Sequence, residues 1–213
     1  MYYFIDILAS IVMTFVVFRI WNYYGVFRIQ DYSIKKAIAF TGIIFFVFAA
    51  VTVLLTVRDM GMINWSKIIL VLFCVFSCAF IDFRRHIIPN KLVLLLLSGG
   101  VLLLICDFIF RYEIFMRILV SSLLGFGFFV VFLTIVSIVS KRALGFGDVK
   151  IVSGIGLVMG FSTTYSILLY SLILCAVCSV YLLVIKKKGK KHAIPFGPFV
   201  LIGFLIIVIS GGY

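Results

Sequence analysis

Two aspartates stand where a carboxylate can do chemistry in an otherwise apolar chain. Asp82 lies in Ala79-Phe80-Ile81-Asp82-Phe83-Arg84-Arg85-His86-Ile87-Ile88-Pro89-Asn90, at the end of one hydrophobic run. Asp148 lies in Leu144-Gly145-Phe146-Gly147-Asp148-Val149-Lys150, at the start of another, 66 residues later. An ionisable group in a membrane segment costs about 2.5–3.5 kcal/mol on insertion scales and is a functional candidate by default. Two carboxylates held a few ångströms apart cannot both ionise, so such a pair shares a proton. The ionised member can take a proton from a bound water while the protonated member polarises a carbonyl. That chemistry hydrolyses an amide with no metal and no nucleophilic side chain, so no cofactor is expected. Position alone leaves a second reading open, in which each Asp caps a helix or pairs with Arg84, Arg85 or Lys150.

The other five acids are placed differently. Asp31 and Asp59 are expected in loops, and Glu113 in a loop after the fourth apolar run. Asp6 and Asp107 sit near the ends of runs one and four, where a carboxylate is expected to reach interfacial water. The backbone around the central pair is distinctive. Gly145 and Gly147, just before Asp148, permit positive φ and close approach of another chain. Pro89 disfavours the helical region for Ile88 and so calls for an extended or turn dipeptide after the third run.

The elements that must position these residues follow from composition. Of the 213 residues, 65% are hydrophobic and 12% charged, with a mean hydropathy of +1.35. Such a chain cannot cover its apolar surface with polar groups, and the lipid bilayer must be its solvent. Apolar runs near 3–21, 37–57, 66–82, 91–110, 117–140, 148–161, 164–185 and 195–212 predict an all-α fold. It is a polytopic transmembrane helical bundle of about eight segments, in a single integral-membrane domain over 1–213. The sixth run is short and rich in glycine (Gly154, Gly156, Gly160), which suggests a half-span or a helix packed deep in the bundle. The N-terminus has no charged leader region or small-residue cleavage site and reads as a retained span.

The net charge of +12 is confined to short loops, including Lys186, Lys187, Lys188, Lys190 and Lys191. That is the pattern of topology selection, and no nucleic-acid partner is expected. With the loop after the first span taken as cytoplasmic, the 19 basic residues divide 15 to 4 (15 + 4 = 19), Arg58, Lys67, Arg111 and Arg117 being the four outside. Both termini are then outside, and both aspartates sit at the cytoplasmic edge of a multi-pass cell-membrane protein. The five cysteines, Cys74, Cys78, Cys106, Cys175 and Cys178, lie in apolar runs and read as small packing residues. No metal site is expected, because His86 and His192 are far in sequence from the Cys175/Cys178 pair.

Three strings together resemble the signatures of type IV prepilin peptidases, of the G-x-G-D class of membrane aspartyl proteases. They are Asp82 followed by Ile88-Pro89-Asn90, then Gly145-Phe146-Gly147-Asp148-Val149-Lys150, then Ile194-Pro195-Phe196-Gly197-Pro198-Phe199. The resemblance covers most of the chain after about residue 66. It implies an aspartic endopeptidase that removes a short basic leader, ending in Gly, from prepilin or pseudopilin precursors of type IV pilus or protein-secretion systems. It places the catalytic aspartates on Asp82 and Asp148. Gly145, Gly147 and Lys150 would shape the second aspartate's loop, Pro89 and Asn90 the first, and Pro195, Gly197 and Pro198 would line the site from the last span. By itself the last string also fits an ordinary helix start. Longer members carry a cytoplasmic domain with two C-x-x-C pairs and are associated with N-methylation. Residues 22–36 here are a short loop without cysteine, which puts methyltransferase activity and S-adenosylmethionine in doubt. Two other readings are a presenilin-like protease that cuts transmembrane helices and a small ion or proton transporter. Pro89-Asn90 and the Pro195–Phe199 string argue against the first. The lack of an internal repeat, and carboxylates at one face rather than mid-membrane, argue against the second.

Overall fold

A computed structural model describes residues 2–24, 34–58, 61–140, 145–184 and 195–213. Eight helices follow in order: α1 (Tyr2–Tyr23), α2 (Ile34–Val57), α3 (Met62–Arg85), α4 (Asn90–Phe110), α5 (Tyr112–Val139), α6 (Phe146–Met159), α7 (Phe161–Val184) and α8 (Gly197–Ser210). There are no strands among the described residues. The eight apolar runs thus each become one helix, as hydropathy predicts, because in lipid only an element that satisfies its own backbone can persist.

Among the described residues, Met62–Arg85, Asn90–Phe110, Tyr112–Val139 and Phe161–Leu182 are long and apolar enough to cross a membrane. Their outward faces are apolar too. Leu102, Ile105 and Ile109 of α4, and Leu124, Val131 and Ile135 of α5, are exposed, which water would penalise and lipid does not. The molecule is a multi-pass membrane protein built as a helical bundle.

The chain forms two compact units, Met1–Ile69 and Leu70–Tyr213, with the division inside α3. In the first unit α1 packs on α2. Ile44, Phe48, Val51 and Leu55 of α2 are buried, at the alternating spacing of four, three and four that puts residues on one helix face. Ser10 and Thr52 share a hydrogen bond of 3.2 Å across the pair. Such a bond joins helices where burial of apolar surface supplies little drive.

In the second unit α6 is the centre, packed against α4, α5 and α7, and α8 lies on α7. Val149 and the whole stretch from Ile151 to Val158 are buried, as expected of a helix apolar all round. At 14 residues it is about 21 Å long, short of the ~30 Å hydrocarbon core. Glycine is what admits it. A methyl group on Gly156 would lie 2.7 Å from the carbonyl carbon of Gly125, and one on Gly125 would lie 2.6 Å from the carbonyl oxygen of Gly156. α5 and α6 therefore touch backbone to backbone. Gly160, with φ +80, then turns the chain into α7, and Ser121 accepts the N–H of Phe161 at 3.2 Å.

Candidate active site

The sequence around Asp82 folds as a helix end followed by a forced turn. α3 stops where His86 takes φ 53, the sole positive φ among described non-glycine residues. Its N–H donates to the Asp82 carbonyl at 2.8 Å. This left-handed cap costs a non-glycine residue on the order of 1 kcal/mol, less for residues such as His, Asn and Asp that visit it more often. Residues 87–89 continue without regular structure, and buried Pro89, with φ −69 and ψ 123, forms the N-cap of α4.

Asp148 occupies the first turn of α6 behind an extended Gly145 N-cap with φ −70 and ψ 142. Three residues into the helix, its carboxylate reaches back to the Gly145 backbone N–H, which is the second half of a capping box. The capping alternative is therefore realised together with placement in the site. The freedom expected of the two glycines is used differently from the sequence reading. Neither has positive φ. Close approach is what Gly147 serves, since a methyl there would lie 2.8 Å from Ile88 Cβ, and one on Gly145 would lie 3.2 Å from Asp148 Oδ2.

The third string closes on the first. Gly197 opens α8 behind Phe196, with Pro198 in the first turn, where proline's missing N–H is no loss. The N–H of Gly197 donates to Asp82 Oδ2 at 2.9 Å across 115 residues. A helix-terminal N–H has no partner of its own and carries part of the positive end of the dipole, so a carboxylate suits it. There is no space for a side chain, because a methyl on Gly197 would lie 3.0 Å from both Ala79 Cα and Asp82 Oδ2. Asp82 is buried and Asp148 half-buried.

The structure thus brings Gly197 to Asp82, Gly145 to the Asp148 carboxylate, and Gly147, next to Asp148, to Ile88 in the segment after Asp82. It also ties Asn90 to Lys150, whose ammonium donates to Asn90 Oδ1 at 3.0 Å. Pro195 and Pro198 are half-buried and reach the site only as chain neighbours of Gly197. Three participants are not singled out by the sequence. Ile88 and Ala79 are the surfaces that Gly147 and Gly197 meet, and His86 makes the turn. The restriction that Pro89 places on Ile88 signals an extended segment there but not what it touches. Asp107 departs from the expectation of interfacial water. It is fully buried, and its carboxylate lies 3.6 Å from Arg111 one turn on, because α4 ends in a tight step into α5. Asp31 and Asp59 lie outside the described residues, as does the side chain of Asp6. So do most of the basic loop positions. Among the described residues no three His, Cys, Asp or Glu side chains cluster to hold a metal.

An all-helical bundle in lipid, with two carboxylates at helix ends and a glycine-opened third helix on one of them, defines a class of membrane protein with a candidate two-carboxylate site. Within that class the chain belongs to the type IV leader peptidase family, whose profile matches residues 68–180, more than half of its length. It is similar to a prepilin leader peptidase/N-methyltransferase of Aeromonas hydrophila, 26% identical over 136 residues, covering 63% of this chain and 46% of the relative. A protein of the same name from Legionella pneumophila is 28% identical over 143 residues, 67% of this chain and 49% of the relative. One from Pseudomonas putida is 34% identical over 74 residues, 35% and 26%. The chain spans about half the length of the first of these relatives, or less. No solved structure gives a significant match.

Proposed function

We propose that this protein is an aspartic endopeptidase that cleaves the basic leader from prepilin or pseudopilin precursors at the cytoplasmic face of the cell membrane, with Asp82 and Asp148 as its catalytic pair. The observation that supports the reading is the contact among three separate strings around the two aspartates: Gly197 on Asp82, and Gly147 before Asp148 against Ile88 after Asp82. Membership in a family of leader peptidases supports the substrate class.

In this mechanism the ionised aspartate takes a proton from a water between the pair, and the resulting hydroxide attacks the scissile carbonyl carbon. The protonated aspartate donates its hydrogen to the carbonyl oxygen, giving a tetrahedral diol. The C–N bond then breaks as the proton gained by the first aspartate goes to the leaving amine, and the re-forming carboxyl group returns a hydroxyl proton to the second aspartate. The Gly197 N–H holds Asp82 Oδ2 in place through these steps. A buried, partly dry setting strengthens every such interaction over its value in water. The lack of cysteine in residues 22–36 supports a peptidase whose product leaves unmethylated. Mass spectrometry of product made with added S-adenosylmethionine tests this, and a gain of one methyl group would contradict it. The cytoplasmic placement rests on the 15 to 4 basic split. Cysteines introduced at Lys188 and Arg58 should label from opposite sides of the membrane, and labelling from one side would reverse it.

The direct test is co-expression with a candidate precursor, read by gel shift, with protein level checked in the membrane fraction. Asp82→Asn and Asp148→Asn should each abolish cleavage while inserting normally, since Asn keeps shape but cannot ionise. Substantial cleavage by either would end the two-aspartate reading.

A further inference from the structure

The segment that follows Asp82's helix grips the helix that carries Asp148 at two points. Ile88 lies against Gly147, so close that a methyl on Gly147 would be 2.8 Å from Ile88 Cβ. Two residues on, Asn90 accepts a hydrogen bond of 3.0 Å from the Lys150 ammonium, across 60 residues of sequence. Positions three apart share a helix face, whereas positions two apart do not. Gly147 and Lys150 therefore present one face of α6 to the segment 88–90, and Asp148 lies about 200° around the helix from Lys150. Two contacts on one face are what is needed to stop a helix turning about its axis. The segment is itself anchored close to the other carboxylate, since the His86 N–H caps the Asp82 carbonyl at 2.8 Å.

Resting on the two-aspartate reading, we infer that Asn90 and Lys150 are positioning residues that act as a pair. Their hydrogen bond holds the first turn of α6 against the segment 88–90, and with it the aim of Asp148. The Lys150 ammonium is engaged within the enzyme and does not read the precursor. The size of the effect follows from geometry. A side chain tip about 6 Å from the helix axis moves about 2 Å for a rotation of about 20°, and a misplacement of about 1 Å can cost on the order of 100-fold in rate. Glycine at 147 lets Ile88 come close and so makes the first of the two contacts. The hydrogen bond supplies the second.

The test is steady-state cleavage of a precursor by purified full-length protein in lipid nanodiscs, with kcat and KM separated. Lys150→Met and Asn90→Leu should each lower kcat by about 10- to 100-fold, with KM changed by less than about twofold. The double variant should be no slower than the slower single one, because both remove the same bond. Lys150→Arg, which still donates, should recover at least about tenfold in kcat over Lys150→Met. A rise in KM for Lys150→Met, with Asn90→Leu behaving as the parent, would assign Lys150 to the precursor and overturn the inference. Multiplying losses in the double variant would overturn it too. Should the Met and Leu variants fail to fold, Asn90→Asp decides. A carboxylate there draws the ammonium more firmly into the pair, so KM stays if Lys150 is a positioning residue and rises if it reads the precursor. Asp82→Asn and Asp148→Asn run alongside separate the two levels. If both are inactive while Lys150→Met and Asn90→Leu keep the parent kcat, this inference fails alone. If either remains active, the proposed function fails with it.

Discussion

The two ends of α6 use glycine in the same way for opposite purposes. At its C-terminal end Gly156 lets the α5 and α6 backbones touch, within a buried and uncharged stretch from Ile151 to Val158. At its N-terminal end Gly147 lets Ile88 approach just as closely, but beside a half-buried carboxylate and an exposed lysine. A groove of about 570 Å³ opens near the C-terminal end, between α5 and the start of α7, lined by residues such as Val120, Leu124 and Phe161. Arg117 is the one charged residue in its lining, and neither Asp82 nor Asp148 reaches it. Close approach at one end joins helices in a lipid environment that offers little hydrophobic drive. At the other end it brings ionisable groups from distant parts of the chain to one place.

The comparison breaks most visibly at the carboxylates. Asp82→Asn and Asp148→Asn should each reduce cleavage by on the order of 10²–10⁴ with normal membrane levels, and the double variant should be scarcely worse than either. Glu113→Gln, an exposed acid in the first turn of α5, is the control and should cleave as the parent does. Its loss from a helix N-terminus costs only about 0.3–1 kcal/mol. Asp107 is a poorer control than its place in the sequence suggests, because its burial beside Arg111 couples it to folding.

Next comes the far end of α6. Gly156→Val forces side-chain atoms into the Gly125 backbone and should destabilise by on the order of 3 kcal/mol, read as loss of folded protein in the membrane fraction and a lower thermal midpoint. What folded protein remains should keep its activity per molecule. Equal loss of specific activity would show that the two ends are not separable. The finest distinction is at the near end. Gly147→Ala should lower cleavage about tenfold by pushing Ile88 away, with a stability loss smaller than that of Gly156→Val, since the ~1 kcal/mol by which Ala exceeds Gly in helix preference offsets part of the clash with Ile88 Cβ. Ile88→Gly in the same molecule removes the Cβ that the new methyl meets and should recover part of the loss. If Gly147→Ala is silent, close approach at this end is packing alone.

Much of this architecture is legible in the amino-acid sequence. A bilayer solvent imposes long apolar runs separated by charged loops, so the helices can be located by counting, and the sixth stands out as short and glycine-rich. Asp82 and Asp148 are legible because a charge at the edge of an apolar run is costly enough to need a reason. The order of the three strings carries the family. What a linear pattern does not show is which groups meet. A glycine permits either an unusual φ or a close neighbour, and only the packing of Ile88 on Gly147 shows that the second is used. Likewise Pro198 and Gly197 read equally well as a plain helix start, until the first turn of α8 is seen to give its N–H to Asp82. The depth of Asp107 escapes the sequence for the same reason, since burial depends on neighbours rather than on distance along a run. Sequence determined the solvent, the helices and the chemically active residue types, because these follow from each residue's own transfer energy and backbone limits. Tertiary structure decided the partners of Asp82 and the lock between Asn90 and Lys150, because contacts 60 and 115 residues apart depend on how helices pack.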